Sequence, residues 1–74
     1  MDSAVAIFMD GVIKRTAEKL NNPNLLECEK NKIIDEGINQ IDMISEYYGP
    51  DKTTTGETKF TKALLRASCN TENQ

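Results

Sequence analysis

Apolar residues recur three and four positions apart through most of this chain, and the rhythm breaks at Asn21-Asn22-Pro23 and again at Gly49-Pro50. Such spacing marks helices that turn one face to a core. A first helix is expected over residues 3–20, carrying Val5, Met9, Val12, Ile13, Ala17 and Leu20 on one face and Lys14, Arg15, Glu18 and Lys19 outside. Ile7 and Phe8 join Val5 and Met9 in its first turns, so that end is apolar on more than one side. Gly11 weakens the helix by about 1 kcal/mol relative to alanine. Close packing against another backbone would explain it.

The longest helix is expected over residues 23–48, where Ile34, Gly37, Ile41, Ile44 and Tyr48 alternate three and four apart and Leu26, Ile33 and Ile38 widen the stripe. The stripe lapses at Glu27, Glu29, Lys30, Asn31 and Lys32, a solvated turn or two. At 1.5 Å per residue the helix would run to about 39 Å. Asn22 can cap it with Pro23 in the first helical position, where a missing N–H costs nothing. Gly49 suits a left-handed C-cap, and Pro50 cannot continue the helix. Thr54-x-x-Glu57 fits a capping box opening a third helix over residues 55–67, with Phe60, Ala63, Leu64 and Ala67 as its face. The polar stretch from Ser68 to Gln74 reads as a disordered tail.

These elements predict an all-α fold, one domain over residues 1–67. A two-residue link makes the first two helices an antiparallel hairpin. Two helices cannot enclose a core, the third is short, and the Ile7/Phe8 side still needs cover. A homo-oligomeric helical bundle answers both needs.

Length and charge narrow the function. The 74 residues allow one domain of marginal stability. Small domains gain stability from disulfides, a metal or a partner chain. Cys28 and Cys69 form no metal-type spacing, and the lack of histidine excludes imidazole zinc sites and His-dependent catalysis. No cofactor is expected. The net charge of −3 with no basic stripe argues against nucleic-acid binding. The apolar run from Ala4 to Met9 is too short to span a membrane, and Asp2 precedes it where a signal peptide would carry positive charge. Cytoplasmic residence follows as the default.

Catalysis has little to work with, since no Ser-x-x-Lys, nucleophile elbow or paired cysteine is present. The pairs Asp35/Glu36 and Glu27/Glu29 fall on the polar face of the second helix, and catalytic carboxylates need a cleft that shifts their pKa. Cys28 stands near the start of that helix, where the dipole lowers a thiol pKa but Glu27 and Glu29 oppose it. A half-buried packing thiol is the better reading. The segment Lys52-Thr53-Thr54-Thr55-Gly56-Glu57-Thr58-Lys59 gathers hydroxyls, a glycine and two lysines at a helix start, a setting that suits phosphate. It lacks P-loop spacing, Glu57 counts against an anion unless the capping box consumes it, and an ordinary loop with a helix cap is the better reading. The alternative is a small phosphorylated ligand or nucleotide held at a subunit boundary by Lys52, Thr54, Thr55, Gly56 and Lys59.

Tyr47 and Tyr48 are the main aromatic feature. Tyr48 falls on the core stripe and Tyr47 does not, which makes Tyr47 the stronger contact for a partner. Lys14, Arg15 and Lys19 form a basic patch that acids of the second helix could meet across the hairpin or across subunits; loose solvated pairs are the default.

The segment Leu20-Asn21-Asn22-Pro23-Asn24-Leu25-Leu26, between two amphipathic helices, resembles the Pro-containing turn of type III secretion needle subunits and of the small hairpin chaperones that hold them. The resemblance covers seven residues and implies a structural or chaperone hairpin of a secretion-type assembly. Needle subunits end in an apolar helix, whereas this chain ends in Cys69-Asn70-Thr71-Glu72-Asn73-Gln74.

The leading expectation is a small non-enzymatic protein that self-associates and binds a partner protein as adaptor, chaperone or inhibitor. Its contacts would be Val5, Ile7, Phe8, Met9, Tyr47 and Tyr48. By analogy, compact helical chains without catalytic residues include phage and mobile-element proteins that block a host system.

Overall fold

Asp2 starts the first helix by accepting the Ala4 amide on its Oδ1 at 2.9 Å, satisfying one of the donors a helix start leaves open. The computed structural model describes residues 1–70 and contains α1 (Ser3–Leu20), α2 (Glu27–Tyr48) and α3 (Thr55–Asn70). Each helix packs on both others. Phe8 meets Tyr48 and Thr16 abuts Gly37, so α1 and α2 are antiparallel. Contacts of Thr58 with Ser45, Lys62 with Asp42 and Leu65 with Gly37 make α3 antiparallel to α2. The result is an up-down-up bundle, with α3 closing its own hairpin.

The core joins Val5, Met9 and Val12 of α1, Ile38 and Ile41 of α2, and Leu65 and Cys69 of α3. Ile13, Leu20, Ile34, Ile44 and Tyr48 pack around it, half-buried. The stripes expected of the first two helices therefore face inward. Gly37 marks the closest approach. A Cβ there would stand 2.6 Å from Thr16 Oγ1 and 3.1 Å from Leu65 Cδ1, so all three helices meet where it has no side chain. Gly11 has no such neighbour, and a Cβ there would meet only its own helix's Arg15, at 3.1 Å.

The start of α2 differs from the expectation. Asn22 does not cap a helix at Pro23. Its Oδ1 accepts the Asn24 amide at 3.0 Å and its carbonyl accepts the Leu25 amide at 3.3 Å, a local turn of the kind Asn side chains favour. The helix begins instead at Glu27 after Leu26, whose amide donates to Glu29 Oε1 at 3.0 Å. The link thus spans residues 21–26, and the Leu26 side chain is exposed where it was expected to widen the core stripe. Gly49 ends α2 with φ 78°, its amide bonded to Ser45 O at 2.9 Å. Its own carbonyl accepts the amides of Lys52 and Thr53, both at 3.2 Å.

The third helix buries a different face from the one its hydrophobicity suggests. Thr58, Thr61, Leu65 and Cys69 point inward, while Phe60, Ala63, Leu64 and Ala67 are exposed. The threonines can be buried because each hydroxyl donates back to the carbonyl four residues earlier. Thr58 Oγ1 reaches Thr54 O at 3.1 Å and Thr61 Oγ1 reaches Glu57 O at 2.8 Å. Thr16 does the same in α1, to Val12 O at 2.7 Å. With its polar atom satisfied, a threonine offers the core a methyl group and little else. The expected break after residue 67 is also corrected: α3 continues to Asn70, with Ser68 half-buried and Cys69 in the core. The rest of the expected tail, residues 71–74, lies outside the described residues. Cys28 is exposed, since the first turn of α2 lies beyond the packed part of the bundle, and is not the packing thiol expected.

Candidate interaction surface

The helix spacing that sends Val5, Met9 and Val12 inward leaves Phe8 on the flank of α1 that faces α2. There its ring stacks on Tyr48, with centroids 6.1 Å apart and planes at 27°. Tyr47, one residue on, turns outward and meets Tyr48 edge-on at 5.1 Å. Offset and edge-to-face pairs of this kind hold aromatic rings in fixed orientation and contribute about 0.5–1.5 kcal/mol each beyond burial. Met43, one helical turn before Tyr47, completes a shallow, almost wholly apolar shelf lined by Phe8, Met43, Ile44, Tyr47 and Tyr48.

The shelf is well exposed. Tyr47 keeps 83% of its surface in solvent, Met43 66% and Phe8 52%, and Ile7 beside it keeps 71%. Single exposed apolar residues are ordinary, but a contiguous set around rigid aromatics is what binding surfaces present. Of the six residues expected to form an interface, Ile7, Phe8, Tyr47 and Tyr48 are gathered at this end of the bundle. Val5 and Met9 are fully buried in the core and leave the candidate surface, because they sit on the face of α1 opposite Ile7. Met43 is the residue that sequence reasoning missed. Its signal was its place four residues before Tyr47, outside the core stripe.

The face of α1 and α2 that carries the shelf continues into charge. Arg15 lies seven residues after Phe8, and Glu36 lies seven before Met43, so each extends its helix's outer stripe. Thr16 abutting Gly37 puts the two charged ends at one height. Lys14 pairs with Asp10 at 2.9 Å on its own helix. Arg15 and Lys19 are exposed and form no ion pair with a described acid, so the hairpin does not neutralise its basic patch internally.

The segment considered for anions is largely engaged with itself. Thr54 and Glu57 form the expected capping box: the Thr54 amide donates to Glu57 Oε1 at 3.0 Å and the Glu57 amide to Thr54 Oγ1 at 3.2 Å. The Met1 ammonium also pairs with Glu57 Oε2. That ammonium first, and then the Thr54 amide, hold the Glu57 carboxyl down at about 2. Lys52 leans to Asp2 at 3.6 Å, while the Asp2 amide donates to Lys52 O at 2.7 Å. The Ala4 amide, followed by Lys52, holds the Asp2 carboxyl below its ordinary range. Lys59 and Thr55 border an open hollow shared with Asp42 and Glu46, whose charges oppose a phosphate. Gly56 is exposed in the first turn of α3. Thr53, just before that turn, is buried with a hydroxyl that finds no partner among the described residues.

Among the described residues no helix is long and apolar enough to cross a membrane, and no three acids or cysteines cluster as a metal site would require. No family model matches the chain, and neither the curated proteins nor the solved structures yield a match.

Proposed function

We propose that this chain is a small cytoplasmic, non-enzymatic protein that works by association, both with itself and with a partner protein, as an adaptor, chaperone or inhibitor. The exposed aromatic shelf of Phe8, Met43, Tyr47 and Tyr48 is the observation that supports it. Two rings held by stacking at the end of a rigid helix lose little conformational freedom on docking, which favours tight contact from a small area. A host-directed inhibitor and a secretion-type chaperone would both use such a shelf. No specific observation favours the phosphate-binding alternative, since Lys52 and Glu57 already have partners and acids flank Lys59.

The test is a photo-crosslinking amino acid placed at position 47 in cells, with position 46, exposed on the α3 side of α2, as the control. Covalent capture of protein at position 47 and not at 46 is the expected result. Equal capture at both positions, or none at either, would reject the shelf as a docking surface.

A further inference from the structure

We propose that a second copy of this chain occupies the shelf, through a two-fold axis parallel to the helices that lays α1 of each copy over α2 of the other. The inference rests on the reading of the shelf as a protein-docking surface, and adds the occupant, the symmetry and the register.

Three observations carry it. The first is charge. On the α1–α2 face the outer stripe of α1 ends in Arg15 and Lys19, and that of α2 carries Glu36 and Glu29 with Lys32 between them, without an ion pair from one helix to the other. A surface with both signs side by side is complementary to its own copy when the copy is turned about an axis along the helices. Arg15 and Lys19 then face Glu36 of the second copy, and the reverse.

The second is register. Phe8 stands level with Tyr48, and Thr16 with Gly37, so a rotation that keeps heights unchanged sets Phe8 against Met43 and Tyr47 of the second copy. Apolar surface meets apolar surface in the same arrangement that brings base to acid. A two-fold axis perpendicular to the helices through the middle of the face would instead lay the shelf of one copy on the charged end of the other, where its desolvation is unrewarded, and one through the shelf would leave Arg15, Lys19 and Glu36 without an opposite charge.

Gly11 is the third. It lies between Phe8 and Arg15 on this face, and only the Arg15 side chain approaches it. A glycine in mid-helix costs stability unless another backbone comes close. Within the chain none does, and the second copy's α2 would.

The seam is isologous, so it closes as a dimer and leaves the outer side of α3, with Phe60 and Leu64, free for a different protein.

Sedimentation velocity on the full chain, at micromolar to hundreds of micromolar concentration, reads the assembly against the 8.3 kDa monomer. A dimer is expected, and Tyr47→Asp should give a monomer with its helical circular dichroism intact, because the side chain is exposed. Glu36→Arg alone should weaken the dimer by roughly tenfold, and so should Arg15→Glu with Lys19→Glu. Mixing these two variants should restore wild-type affinity, since opposite charges face each other at both ends of the mixed dimer. A monomeric wild type overturns the proposal, as does a dimer indifferent to Tyr47→Asp or a mixture with no recovery. A monomeric wild type that still crosslinks another protein at position 47 removes the second copy and leaves the docking surface standing. No capture at position 47 removes both.

Discussion

The α1–α2 pair and α3 reach the same core by different chemistry. The pair seals itself with Val5, Met9, Val12, Ile38 and Ile41, side chains whose spacing announces their role. The third helix contributes Leu65 and Cys69, and fills the rest with Thr58 and Thr61. Its more apolar residues, Phe60 and Leu64, stay in water. The difference teaches that the inward face of a helix is chosen by which side chains fit the groove, and that a threonine whose hydroxyl is bonded to its own backbone competes well there. Gly37 brings Leu65 close against α2, while Thr58 meets α2 about two turns away, at Ser45.

Substitutions can break that comparison, starting with Leu65. Leu65→Ala should lose about 2–5 kcal/mol in urea denaturation, whereas Phe60→Ala should stay within ~0.5 kcal/mol for the monomer. Comparable losses at both would mean that α3 is seated on the wrong face. Gly37→Ala comes next. The crowding of Thr16 and Leu65 should outweigh the helix-propensity gain and leave a net loss of about 1–2 kcal/mol, read as a lower denaturation midpoint. A stabilised variant would show that the three helices do not meet there.

Thr54→Ala removes the capping box and should cost about 0.5–2 kcal/mol by the same measurement. Thr61→Val and Thr53→Val then separate a satisfied hydroxyl from an orphaned one. The first should be nearly neutral, and the second should stabilise by up to ~1 kcal/mol, because only Thr53 buries a hydroxyl without a partner. A large loss at Thr53 would reveal a bond that this hydroxyl makes.

The smallest effect concerns acid. The folded Glu57 and Asp2 carboxyls lie below their ordinary values, so the stability they add is complete above the unfolded values. It is lost as pH falls, for Glu57 between about 4.5 and about 2. Denaturation midpoints should therefore drop between about pH 5 and about pH 2, and Glu57→Gln should shrink the drop. An unchanged drop would mean that the α3 cap has no part in it.

Much of this was legible because aliphatic periodicity and cap chemistry are local. The span of α1, the end of α2 at Gly49 and the Thr54–Glu57 box each follow from residues within a few positions of one another. Three features were not legible, for related reasons. Asn22-Pro23 serves a turn as readily as a helix start, and only the competition for the Asn22 side chain decides. Hydrophobicity counts threonine as polar until its back-bond is seen, which hid the inward face of α3. Met43 stands four residues before Tyr47 outside the core stripe, a signal that gained meaning only once Phe8 arrived from α1 to complete the shelf. The aromatic end itself could be read from Phe8 and Tyr47, since both fall outside the core stripes of their helices.

The threonine back-bonds have a consequence for motion. When a helix leaves its groove, the usual penalty includes apolar surface stripped of cover. The back-bonds of α3 survive such a move, while its Thr58–Ser45 and Lys62–Asp42 bonds break and Leu65 and Cys69 lose their cover. That is less apolar surface than Val5, Met9, Val12, Ile38 and Ile41 seal in the first two helices, so α3 is the easier part of the bundle to lift away as a unit. Its amide protons should exchange for deuterium sooner than those around Ile41, through an opening that spares the α1–α2 pair.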